Sequence, residues 1–127
     1  MQTDHIGVAT RDADELEAIY TELLRGEVAH QESLDGMSVV FIDLGSGYLE
    51  LLEPHSEGPI DRYLESNGPG IHHVAFQTAD IDAAMTRAEE MGVNLVDETP
   101  RDGAWGHEIA FLHPDSTGGV LIEFVQH

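Results

Sequence analysis

A chain of 127 residues with a hydrophobic fraction of 41% has room for one ordinary core and not for two, and the absence of cysteine excludes disulfide scaffolds, thiolate metal sites and cysteine nucleophiles. Its 25 Asp and Glu stand against five basic residues, all arginine, giving a net charge of −20, a field that repels nucleic acid and anionic membranes. No apolar run approaches the roughly 20 residues of a membrane helix, and the N-terminus lacks a signal peptide's basic-then-apolar pattern, so a soluble cytoplasmic protein is expected.

High net charge also accompanies disorder, but here regular apolar patterning argues against it. The first strand is expected over Asp4-His5-Ile6-Gly7-Val8-Ala9-Thr10, and the acidic cluster Asp12-Ala13-Asp14-Glu15 then suits a helix N-terminus. Leu16, Ile19, Tyr20, Leu23 and Leu24 recur at helical period, and Gly26 closes that helix. Three strands follow at about 27–33, 37–44 and 48–52, with turns at Asp35-Gly36 and Gly45-Ser46-Gly47. A linker of about 54–70, rich in Pro and Gly, contains a possible short helix over 60–67.

The pattern then repeats. His72-His73-Val74-Ala75-Phe76-Gln77-Thr78 matches the first strand, and Asp80-Ile81-Asp82 matches the first acidic cluster. Ile81, Ala84, Met85 and Ala88 mark a second helix ended by Gly92, and strands follow at about 94–98, 108–113 and 119–126. The class expected is α+β, with βαβββ modules at about 3–53 and 71–127 forming an open, cup-shaped mixed sheet. Neither module would bury a stable core alone, so a single domain over 1–127 is expected.

Strand parity selects the chemistry, because successive side chains point to opposite faces. Ile6 and Val8 are the bulky pair that should cover a helix, which puts His5 on the other face; Val74 and Phe76 do the same for His73 and send His72 toward the helix side. In the last strand of each module one carboxylate interrupts an apolar run, Leu49-Glu50-Leu51 and Ile122-Glu123-Phe124. Each module thus offers one His and one Glu, separated by 45 residues in the first and 50 in the second. Two imidazoles and two carboxylates suit a divalent ion such as Co²⁺, Zn²⁺, Ni²⁺ or Mn²⁺, with positions left open for substrate.

At these positions the chain resembles the vicinal-oxygen-chelate superfamily of glyoxalase I, extradiol dioxygenases, bleomycin-resistance proteins and methylmalonyl-CoA epimerases. Likeness to the epimerase family is carried by Asp4-His5-Ile6-Gly7-Val8-Ala9, Leu49-Glu50-Leu51-Leu52-Glu53-Pro54, Gly70-Ile71-His72-His73-Val74, Phe111-Leu112-His113-Pro114 and Gly118-Gly119-Val120-Leu121-Ile122-Glu123. The resemblance implies metal ligation by His5, Glu50, His73 and Glu123, a CoA thioester substrate, and a homodimer. It also implies interconversion of (2R)- and (2S)-methylmalonyl-CoA through an enolate, with Glu123 moving a proton. Some bacterial members carry a second glutamate where this chain has Val39; Glu50 or a bound water then becomes the candidate second base.

Five arginines in an acidic chain point to the phosphates of such a ligand, and Arg101, in the Gly-rich loop from Thr99 to Gly106, is the candidate contact. His30, His55 and His127 are expected at the surface, His113 at a strand end, His107 along the loop, and Trp105 either over the ligand or packed on the sheet rim. Two other functions use the same residues. A glyoxalase I-type lyase acting on a thiol hemithioacetal is disfavoured by the stretch 118–123, and a metal-free binder of the bleomycin-resistance kind by the intact ligand set. The lysine-free acidic composition resembles proteins of salt-accumulating halophiles, where 1 M salt shortens the Debye length to about 3 Å.

Overall fold

Alternation in the first strand, a cap box of carboxylates and a helical apolar stripe produce β1 (Gln2–Ala9) and α1 (Ala13–Leu23) where they are expected. The computed structural model describes all residues, Met1–His127, in two compact units: His5–His72, and His73–His127 together with Met1–Asp4. No helix is long and apolar enough to cross a membrane.

The first unit continues with β2 (Glu27–Leu34), β3 (Met37–Asp43), β4 (Tyr48–Pro54) and α2 (Pro59–Asn67). Its strand order is β2-β3-β4-β1, with β1 parallel to β4 and the other pairs antiparallel. Asp35 and Gly36 both adopt positive φ, 51° and 76°, the requirement of the primed turn joining β2 to β3. Val8, Val40, Ile42 and Leu51 form the core with Ala13, and Leu16 and Tyr20 of α1 pack against it. The Asp12 carboxylate accepts from the Glu15 amide and the Glu53 carboxylate from that of Ala13, so two anions sit at the positive end of the helix dipole.

Two expectations about α1 are corrected. Ile19, Leu23 and Leu24 do not face the core; they are 42, 72 and 48% exposed. The sheet covers only the row Ala13, Leu16 and Tyr20, which is narrower than the apolar stripe of the helix. Nor does Gly26 supply the left-handed residue after the helix, because Arg25 takes φ 58° instead. Gly26 is glycine for space: a Cβ there would lie 2.5 Å from Ile42 Cγ2.

The second unit holds most of β5 (Gly70–Gln77), then α3 (Ile81–Glu90), β6 (Arg101–Asp102), β7 (Glu108–Leu112) and β8 (Ile122–Gln126) in the order β5-β8-β7-β6. Ile81, Ala84, Met85 and Ala88 of α3 pack on Ala110, Leu112 and Phe124. Asp80 caps the helix, and Gly92 at φ 78° closes it as expected. The strand expected at about 94–98 shrinks to one bridge, Leu95 to Leu112, and Arg101–Asp102 takes the edge position. Asp97 explains this: its carboxylate accepts from the Phe111 amide at 2.8 Å, occupying a donor that a neighbouring strand would need. The last strand begins at Ile122 rather than 119, because Gly118 and Gly119 are left-handed at φ 71° and 86°.

Candidate metal centre

Register places one imidazole beside one carboxylate in each unit. Gly7 of β1 lies opposite Glu50 of β4, so His5, two residues earlier, stands diagonally from Glu50 on the same face. In the second unit Ala75 lies opposite Glu123, and His73 is again two residues earlier. His5 Nε2 is 3.4 Å from Glu50 Oε1 with the side chains 4 and 8% exposed, and His73 Nε2 is 3.9 Å from Glu123 Oε1 with the side chains 2 and 6% exposed.

The neighbouring strand repeats as well. Phe41 of β3 lies opposite Glu50, and Phe111 of β7 lies opposite Glu123. Each ring meets the histidine edge to face, at 5.6 Å and 89° for His5 and 5.5 Å and 87° for His73. Glu50 and Glu123 therefore each sit between a small residue, Gly7 or Ala75, and a phenylalanine that walls the imidazole. The sequence did not reveal Phe41 and Phe111. They precede their glutamates by nine and twelve residues respectively, so no common spacing marks them; the turn lengths that set register decide which residue faces the glutamate.

Burying four ionisable groups in this way is costly unless charge is balanced. Each unit offers one imidazole and one carboxylate, donor types that suit a divalent cation. Ligands about 2.1 Å from one ion are roughly 3.0–3.4 Å apart at octahedral or tetrahedral angles, close to the His5–Glu50 separation. The His73–Glu123 separation of 3.9 Å is wider than that range and longer than a hydrogen bond. The donor types in both units, and the spacing in the first, fit a metal.

His72 lies on the helix side, as parity requires, with its ring edge-on to Tyr63 of α2 at 4.9 Å. Arg101 pairs through Nε with Asp97 at 3.0 Å and holds its guanidinium 5.5 Å from the centre of the Phe111 ring. His113 accepts from the Asp115 amide at a strand end, and His55 is exposed and bonded to Ser38. One surface expectation is corrected, that of His30, while His127 is exposed as expected. His30 is only 29% exposed, with Nε2 3.0 Å from Glu32 and its ring 6.3 Å from Phe41. His127 pairs with buried Asp4 and stacks on His107, which stacks in turn on Trp105. Trp105 itself holds a positive φ of 63°.

With this geometry the comparisons agree. Residues 4–111 match the family described as the glyoxalase/bleomycin resistance protein/dioxygenase superfamily, and the chain belongs to that family. Among relatives, it is 39% identical to ethylmalonyl-CoA/methylmalonyl-CoA epimerase of Cereibacter sphaeroides, over 97% of this chain and 96% of that protein. It is 37% identical to the mitochondrial methylmalonyl-CoA epimerase of Bos taurus, over 97% of this chain and 73% of that one. A variant of Streptomyces coelicolor methylmalonyl-CoA epimerase, solved with 2-nitronate-propionyl-CoA, superposes with a TM-score of 0.91 at 37% identity, covering 99% of this chain and 96% of that one. Within the superfamily, then, this chain is an isomerase of the epimerase kind.

Proposed function

We propose that the protein interconverts (2R)- and (2S)-methylmalonyl-CoA, using a divalent ion held by His5, Glu50, His73 and Glu123. The observation that carries this reading is the same buried pair in each unit, an imidazole beside a carboxylate: His5 with Glu50 at 3.4 Å, and His73 with Glu123 at 3.9 Å. The names of the relatives supply the substrate.

A divalent ion, when bound, acts as a Lewis acid toward the thioester and carboxylate oxygens of the substrate and favours enolate formation. His5 and His73 contribute fixed neutral donors, held in orientation by the edges of Phe41 and Phe111. Glu123 takes the α-proton, the electron pair of the C–H bond moving into the enolate, and returns it when the reaction reverses. Arg101 faces the CoA phosphates, its side chain steadied by Asp97 and the Phe111 ring.

Incubation of metal-replete protein with (2R)-methylmalonyl-CoA in D₂O tests the proposal. Deuterium should appear at the α-carbon as the (2S) epimer accumulates, and chelator should stop both. Turnover of a glutathione hemithioacetal without either change would establish the glyoxalase reaction instead.

A further inference from the structure

Inverting a stereocentre requires a proton to leave one face of the carbon and another to arrive on the opposite face. Glu123 serves one face in the reading above, and this inference rests on that reading. Glu50 holds in the first unit the position that Glu123 holds in the second, beside the histidine of its own unit. Val39, at 1% exposure, offers no ionisable group.

The face of the first unit that carries His5 and Glu50 extends across β3 to β2. Phe41 pairs with Glu50 on one side and with His30 on the other, and Val39 pairs with Glu32. His30 and Glu32 thus share the ligand face, linked by the 3.0 Å contact and about three-quarters buried. Register shifts between Val28 and His30, an irregularity of the kind that re-aims side chains at functional sites. The Phe41 ring touches both histidines, lying 6.3 Å from His30 and 5.6 Å from His5, so one ring separates the pair from a metal ligand.

The second unit provides an internal control. There the phenylalanine wall carries Arg101 paired with Asp97, again a basic side chain held by a carboxylate. A guanidinium stays charged and can only hold an anion, whereas an imidazole can give and take a proton near neutrality. The two walls have the same construction and opposite capacities.

We infer that His30 is the second proton-transfer residue and that Glu32 is the positioning residue that orients it. As Glu123 accepts the α-proton, protonated His30 delivers a proton to the opposite face, and the enolate electron pair forms the new C–H bond. The reverse reaction returns a proton from carbon to His30 and one from Glu123 to carbon.

The test separates inversion from exchange. In D₂O, metal-replete His30→Gln should invert about 100-fold more slowly, while the epimer that Glu123 deprotonates still gains deuterium with configuration retained, within about threefold of the unaltered rate. Glu32→Gln should show the same split to a smaller degree, with Glu32→Asp restoring part of the inversion. Inversion and exchange falling together, or neither falling, in a His30→Gln protein that keeps its metal would overturn the assignment alone. An unaltered protein that neither exchanges nor inverts methylmalonyl-CoA would overturn the function itself, and His30 with it.

Discussion

The two units agree at the proposed metal ligands and diverge at the walls beside them. In both, a histidine stands two residues before the small residue that faces a glutamate, and a phenylalanine lies on the glutamate's other side. Beyond the phenylalanine the resemblance stops. The first unit has an eight-residue edge strand with His30 and Glu32, and the second has a two-residue strand and a loop with Arg101 and Asp97. An ion held by equivalent ligands tolerates duplication, while a substrate with a reacting carbon at one end and phosphates at the other needs different neighbours on each side.

The largest effect expected within this comparison concerns the glutamates. Glu123→Gln should retain metal by elemental analysis and lose at least about 100-fold in α-deuterium exchange. Glu50→Gln should weaken metal retention while losing less exchange per metal-loaded protein. Equal losses of exchange from the two variants would remove the distinction drawn between them.

The phenylalanine walls come next. Phe41 is 3% exposed and Phe111 only partly buried, so Phe41→Ala should lower stability by about 3–4 kcal/mol and Phe111→Ala by about 2 kcal/mol in denaturant titrations. Arg101→Ala should raise the KM for the CoA ester roughly tenfold with metal content unchanged, the size of one lost charge-assisted contact. A KM within twofold of the unaltered protein would remove Arg101 from substrate binding.

The glycines that follow the helices sharpen the contrast at smallest scale. Gly92→Ala should cost about 1 kcal/mol, because φ is 78° but space is open. Gly26→Ala meets Ile42 at 2.5 Å and should cost about 1–3 kcal/mol by overpacking. The reverse ranking in thermal melts would show that backbone strain, and not space, governs both positions.

Much of this protein was legible one residue at a time. Period two placed His5, His73, Glu50 and Glu123 on their faces and separated His73 from His72, because side-chain alternation is a local property of an extended chain. Period 3.6 and carboxylate caps located α1 and α3 for the same reason. Local pattern did not show which strand row each side chain would meet. Phe41, Phe111 and His30 acquire their neighbours from turn length, a register shift and the diversion of the Phe111 amide to Asp97. Likewise, Ile19 and Leu23 carry the right period and remain exposed, since only the sheet decides how wide a strip of helix it covers. The sequence by itself determined the candidate donors and the faces on which they lie. Tertiary structure alone decided the second ring of residues around them, because that ring is assembled by pairing between strands and not along any one of them.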